Sequence, residues 1–368
     1  MEVNPGYKQT EVGVIPAEWE VAKLSGICSM KSGEGITSAN IDQFSRYPCY
    51  GGNGLRGFTS RFTHNGCYAL IGRQGALCGN VLGVEGMFFA SEHAVVVTAL
   101  ARTDIRWLTV VLGDMRLNQY SESSAQPGLS VSKILNLPLA LPPLPEQRAI
   151  AGALGDVDAL LGALERLIAK KRDLKQAAMQ RLLTGQKCLP GFGGEWETKQ
   201  LGDVVGIKKG QLITGKGAIQ GNIPVIAGGK KPSYFHNSAN RTGKTITISG
   251  SGANAGYVAF FETPIFASDC STISEGPGYA IQFIYYVLQL RQEEIYKAQT
   301  GGAQPHIHPS DLRPLTVSVP GVVEQTAIAA VLSDMDAEIE ALEQRLAKTH
   351  ALKRGMMQEL LTGKTRLI

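Results

Sequence analysis

Apolar residues recur along two stretches of the chain with the alternating four-and-three spacing of a helical seam. Ile150, Leu154, Val157, Leu161, Leu164 and Ile168 mark one face in the first stretch. Ile328, Leu332, Met335, Ile339, Leu342 and Leu346 mark the same face, in the same phase, in the second. Pro145 stands where a first helical turn tolerates proline, and Thr184-Gly185 and Thr362-Gly363 close each run with a glycine. The pattern predicts two helices of about 40 residues, roughly 60 Å long at about 1.5 Å per residue. A stripe of that length requires a covering surface. The spacing predicts that the two helices cover each other as an antiparallel coiled coil with pseudo-twofold symmetry.

Elsewhere the pattern changes to short bursts of β-branched and aromatic residues broken by Gly and Pro, which reads as strands and turns with a few helices. Thr245–Ser249 reads as a strand and residues 279–296 as one helix. The expected fold class is α+β: two similar globular domains of mixed α/β structure plus two long helices. The expected boundaries are 1–142 for the first globular domain, 143–185 for the first helix region, 186–319 for the second globular domain and 320–368 for the second helix region.

The two halves are one unit used twice. Residues 146–185 (EQRAIAGALGDVDALLGALERLIAKKRDLKQAAMQRLLTG) and 324–363 (EQTAIAAVLSDMDAEIEALEQRLAKTHALKRGMMQELLTG) align without a gap, about half of them identical. Glu18-Trp19-Glu20 recurs as Glu195-Trp196-Glu197, Phe89-Ala90-Ser91 as Phe266-Ala267-Ser268, and Ala125-Gln126-Pro127 as Ala303-Gln304-Pro305. Trp19 and Trp196, at the two domain entries, read as packing anchors, and Trp107, Tyr285 and Tyr286 as core.

Composition narrows the classes. Hydrophobic content of 43% supports substantial cores. No apolar run approaches the roughly 20 residues of a membrane span, and the polar opening carries no secretory signal pattern, so the expected compartment is the cytoplasm. Six scattered cysteines (Cys28, Cys49, Cys67, Cys78, Cys188, Cys270) have no zinc spacing and read as buried, reduced thiols. A net charge of +4 permits nucleic-acid binding without arguing for it.

At this point the sequence resembles the specificity subunit of type I restriction-modification enzymes. The resemblance rests on residues 7–21 (YKQTEVGVIPAEWEV), 189–197 (LPGFGGEWE) and above all 141–150 (LPPLPEQRAI) leading into a long helix. In the second copy, residues 318–328 (SVPGVVEQTAI) keep the Glu-Gln pair and lose the proline doublet. The resemblance implies two target recognition domains, each reading one half of a split double-stranded DNA site, joined by helices that act as a spacer. It implies two modification subunits that bind S-adenosylmethionine and methylate adenine, and restriction subunits that use ATP. No cofactor or metal is expected on this chain itself.

Catalytic motifs are missing where they would be needed. An adenine methyltransferase requires an Asn/Asp-Pro-Pro-aromatic run to hold the flipped base, and the chain has none. Residues 210–217 (GQLITGKG) have phosphate-loop spacing but end in Gly where a magnesium-binding hydroxyl is required. Residues 250–255 (GSGANA) fit a dinucleotide fingerprint, yet a strand-like run follows instead of a helix. His306 and His308 lack further metal ligands nearby.

The charge pattern is informative. Residues 43–84 and 204–261, equivalent windows in the two copies, contain no Asp or Glu. Removing carboxylates lowers repulsion with phosphates, and Arg or Lys there can release counterions. Candidate DNA contacts are Asn53, Arg56, Arg61, Arg73, Gln74 and Gln126 in the first copy. In the second they are Lys208, Lys209, Lys216, Lys230, Lys231, Asn237, Asn240, Arg241, Lys244, Gln304 and His306. Arg pairs bidentately with guanine, and Asn or Gln with adenine. The competing reading is a coiled-coil scaffold whose globular ends bind proteins.

Overall fold

The computed structural model describes residues 5–75, 77–121, 128–301 and 304–367. The first part of the chain forms β1 (Tyr7–Thr10), β2 (Gly13–Pro16), β3 (Glu20–Lys23), β4 (Cys28–Ser32), β5 (Tyr47–Gly51), β6 (Gly54–Thr59), β7 (His64–Gly72), β8 (Val81–Ala90) and β9 (Ala94–Ala99). Helices α1 (Ile105–Asp114) and α2 (Val131–Leu135), strand β10 (Pro138–Leu141) and the long helix α3 (Leu144–Leu182) follow. The second part begins with β11 (Glu197–Gln200), α4 (Leu201–Val204), β12 (Ile207–Lys209), β13 (Ile223–Ile226), β14 (Tyr234–His236), β15 (Thr245–Ser249), β16 (Val258–Phe261), β17 (Phe266–Ala267) and β18 (Cys270–Ser274). It ends with α5 (Ile281–Leu290), α6 (Gln292–Lys297), α7 (Pro309–Leu312), β19 (Thr316–Val319) and the long helix α8 (Val322–Leu360).

Two compact units divide the chain: Met1–Ala163 with Leu346–Ile368, and Leu164–Arg345. Each therefore contains a piece of both long helices. In the first unit a six-stranded sheet runs in the order β4-β9-β7-β8-β5-β6, antiparallel except where β5 meets β8. Trp19, Ile71, Trp107, Leu108, Leu112 and Leu117 fill its core, together with Ile150 and Leu154 of α3 and Leu360 of α8. The second unit repeats the strand order in two pieces, β12-β18-β15-β16 and β17-β13-β14. Where β8 runs on for ten residues, the second copy has Thr263-Pro264 between β16 and β17. Proline donates no ladder hydrogen bond, and the strand breaks there. The second core joins Ile246, Ile248, Phe283 and Ile284 to Met179 and Leu182 of α3 and to Ile328 and Leu332 of α8.

The glutamine of the recurring Glu-Gln pair fastens each helix start to its own unit. Gln147 accepts the Asp104 backbone N–H at 2.8 Å and donates to the carbonyls of Arg102 (3.0 Å) and Pro142 (2.9 Å). Asp104 in turn caps α1 by accepting the N–H groups of Arg106 and Trp107. In the second unit Gln325 accepts the N–H of Ala280, the residue before α5, at 2.9 Å and donates to Pro320 O at 2.8 Å. The preceding Glu146 is fully buried and accepts the Trp19 indole N–H at 2.8 Å and Arg366 Nε at 2.6 Å. Tyr7 closes the same corner by donating to Gly363 O at 3.0 Å.

Among the stripe residues, Ile150, Leu154, Leu161, Leu164, Ile168, Ile328, Leu332 and Ile339 are buried, while Val157, Met335, Leu342 and Leu346 are half-buried. Ion pairs link α3 to α8 inside each unit. Lys353 meets Asp158 at 2.6 Å in the first; Lys175 meets Asp336 at 2.5 Å, and Lys171 meets Glu338 at 2.6 Å, in the second.

Two expectations are corrected. Residues 279–296 do not form one helix: α5 ends at Leu290 and α6 starts at Gln292. The Gln292 side chain bonds both Val258 N–H and Gly256 O, which ties the chain to the sheet at the break. Nor are all the cysteines buried: all six are free thiols, but Cys67 and Cys188 are exposed. Burial pushes the Cys28 thiol up to about 11 and Cys270 up to about 12, which leaves both unreactive near neutrality.

Replacing Arg366 by Ala strands the buried Glu146 carboxylate with one indole partner. The expected cost is about 3 to 5 kcal/mol, read as a lower urea midpoint, and adding Glu146→Gln should restore part of it. An unchanged midpoint for Arg366→Ala would contradict this account.

Candidate nucleic-acid interface

In the first unit the acid-free window builds β5, β6 and β7 with their connecting loops. Asn53 sits in the tight turn between β5 and β6, where Gly54 adopts a φ of +94°. Arg56 lies exposed on β6, the edge strand of the sheet. Arg73 and Gln74 follow β7; Arg73 donates to Ser32 Oγ at 3.1 Å, and the Gln74 amide stays open. Arg61 is committed to the fold on two sides, paired with Glu34 at 3.1 Å and lying 4.7 Å from the centre of the Phe89 ring. Gln126 lies outside the described residues.

In the second unit Lys208 and Lys209 stand on β12, an edge strand, Lys216 on the loop after it, and Lys230 and Lys231 between β13 and β14. All five are exposed, and Lys230 lies 5.3 Å from the Tyr257 ring centre. Asn237, after β14, is exposed as well. Three neighbours are engaged in the fold instead. The Asn240 side chain accepts Ala267 N–H at 2.7 Å and donates to Ala267 O at 2.9 Å. Arg241 donates to Thr272 Oγ1, Asn240 O and Lys209 O. Lys244 pairs with Glu262 at 3.4 Å. Gln304 is exposed, while His306 is half-buried and exchanges backbone hydrogen bonds with Thr300.

The candidate side chains left with open donors or acceptors among the described residues are therefore Asn53, Arg56 and Gln74 in one unit, and Lys208, Lys209, Lys216, Lys231 and Asn237 in the other. The open donors of the first unit suit base edges, whereas lysines dominate the second.

The same windows expose large apolar side chains that periodicity could not flag, because they stand in turn-rich segments. Phe44 is 94% exposed, on a loop held by Asp42, which accepts the N–H groups of Phe44 and Ser45. The Ser45 hydroxyl and these two amides hold the Asp42 carboxyl below its ordinary range. Leu212 is 77% exposed beside Lys208 and Lys209 in sequence, and Ile219 and Phe235 are exposed as well.

The first glycine of the phosphate-loop-like run has a backbone explanation. A Cβ on Gly210 would lie 2.1 Å from Ser268 O, and one on its counterpart Gly33 would lie 2.2 Å from Ala90 O. Close approach of two chain segments requires glycine at both places. Among the described residues no group of three or more His, Cys, Asp or Glu side chains is placed to hold a metal, and no helix is long and apolar enough to cross a membrane.

A duplicated sheet-and-helix frame presents different cationic loops in its two copies. The chain belongs to the family of type I restriction modification DNA specificity domains, whose model matches it twice, over residues 16–172 and 193–349. It is 42% identical over 162 residues to the EcoprrI specificity subunit of Escherichia coli, a match that covers 43% of this chain and 39% of that protein. Over 96% of its length it is 22% identical to the MjaVIII specificity subunit of Methanocaldococcus jannaschii, covering 94% of that subunit. The fold is similar to that of the S subunit from M. genitalium, with a TM-score of 0.76 at 17% identity over 98% of both chains.

Because the Asn240 amide is used inside the fold, Asn240→Ala should cost about 1 to 2 kcal/mol of stability and leave base preference unchanged. Thermal unfolding set beside a binding-site selection would show it; a stable variant with altered preference would reverse the assignment.

Proposed function

We propose that the chain is the DNA sequence-recognition subunit of a type I restriction-modification complex and carries no catalytic site of its own. One observation carries this reading: equivalent carboxylate-free windows in a duplicated frame present different sets of open side chains. Each globular part then reads one half of a bipartite duplex site. Lysines and arginines neutralise phosphates, while Asn53, Arg56, Gln74 and Asn237 supply groups for base edges. Exposed Phe44 and Leu212 add apolar surface suited to thymine methyl groups.

In the same proposal α3 and α8 pair as an antiparallel coiled coil. The ion pair Lys175–Asp336 of one unit recurs as Lys353–Asp158 in the other, at equivalent repeat positions, which supports pseudo-twofold symmetry. The paired helices set the distance between half-sites and dock two modification subunits. S-adenosylmethionine and adenine methylation belong to those subunits, and ATP to the restriction subunits that complete the complex. The cytoplasm is the compartment where such a complex meets DNA.

Inserting four residues, about one helical turn, after both Ala169 and Ala347 should alter the unspecified spacer and leave each half-site intact. Methylome sequencing of cells carrying the variant reads the outcome, and an unaltered spacer defeats the ruler.

Salt titration separates phosphate neutralisation from base reading. Lys230→Ala with Lys231→Ala should weaken binding to all duplexes and flatten the log–log salt dependence by about 0.9 for each phosphate no longer neutralised. Arg56→Ala should relax preference at one position by about 1 to 3 kcal/mol. Salt-insensitive binding to duplex DNA would favour the protein scaffold.

A further inference from the structure

The two copies differ at one buried corner. In the first unit the Glu146 carboxylate accepts the Trp19 indole N–H at 2.8 Å and two guanidinium N–H groups of Arg366, at 2.6 and 2.9 Å. Arg366 also reaches Glu18 at 3.0 Å. The residues of the second unit at the equivalent repeat positions are Glu324, Trp196 and Glu195. Its helix end is the same: Gly185 and Gly363 have φ of +70° and +71°, and Lys187 N–H meets Arg181 O as Thr365 N–H meets Glu359 O. Each glycine lies under its tryptophan, with a Cβ position 3.3 Å from the Trp196 ring in one unit and 3.2 Å from the Trp19 ring in the other.

Two parts of the corner are missing, the tryptophan–carboxylate bond and the cation. The position equivalent to Arg366 is Cys188, which is exposed. Glu324 is only 4% exposed, and its Oε1, like Trp196 Nε1, is buried with no hydrogen-bond partner among the described residues. A buried carboxylate costs several kcal/mol unless it is paired. The adjoining surface favours a positive visitor. A cleft of about 380 Å³ is lined by Glu195, Glu197 and Asp203, and by Val322 and Gln325, two residues before and one residue after Glu324. Its one basic residue, Lys199, is already paired with Glu197.

We propose that this corner of the second unit is a receptor site for a guanidinium group, supplied by an arginine side chain of a partner polypeptide. A planar guanidinium satisfies a carboxylate bidentately, and Arg366 displays that solution in the first unit. Cys188 leaves the equivalent place to a side chain from outside the chain.

The test follows the indole N–H resonance of Trp196 in the full chain, assigned with Trp196→Phe and probed with methylguanidinium chloride. The Trp196 signal should shift saturably at millimolar probe while Trp19 and Trp107 stay fixed, and Glu324→Gln should abolish the response. Cys188→Arg should show the shifted signal without probe, ignore added probe and melt at a higher temperature. A Trp196 signal that does not move, or that moves equally in Glu324→Gln, overturns the site. Equimolar modification subunit, an arm that rests on the proposed function, should shift the same signal without probe. A complex that forms and leaves Trp196 unmoved would reassign the site to a small cation and refute the partner arginine, whereas failure to form any complex would count against the functional reading instead.

Discussion

Burial of the apolar stripes on the two 39-residue helices is the constraint on which the rest depends. Neither globular core closes on its own sheet. The first needs Ile150 and Leu154 from the start of one helix and Leu360 from the end of the other, and the second uses Met179, Leu182, Ile328 and Leu332 in the same way. The glutamine after each helix start then converts a hydrophobic contact into a fixed joint, because its amide satisfies backbone groups that would otherwise be buried without partners. A helix held at its first turn by three directional bonds has little freedom to roll.

Duplication allows each copy to serve as a reference for the other. The strand order survives intact, so the break between β16 and β17 can be assigned to Thr263-Pro264 and not to a different topology. The loops diverge in chemistry while keeping their freedom from carboxylates. The charged corners diverge too: Glu146 has its full set of partners and Glu324 does not.

Much of this is legible in the sequence. The helix stripes are set by local spacing, and the repeat exposes the duplicated frame directly. What escapes depends on distant partners. The split of α5 from α6 follows from Gln292 reaching a strand 34 residues away, and Asn240 looks like a base reader until its bonds to Ala267 are seen. Composition cannot separate Arg56, which is open, from Arg241, whose guanidinium is engaged by three acceptors of the fold. Exposed Phe44 is invisible for a different reason, since a lone aromatic in a turn carries no periodic signal.

The division of the chain also has a consequence for the order of synthesis. Residues 164–345 form one unbroken unit, whereas the other unit joins Met1–Ala163 to Leu346–Ile368. The Tyr7 hydroxyl meets a carbonyl 356 residues further on. At about 5 to 20 residues per second, the first core waits roughly 10 to 40 s on the ribosome for its last helical turns. The intervening unit can fold meanwhile, and by doing so it shortens the loop that must close and lowers the entropy lost in closing it. The interrupted unit is thus completed last, with Arg366 arriving as the final side chain of its polar corner.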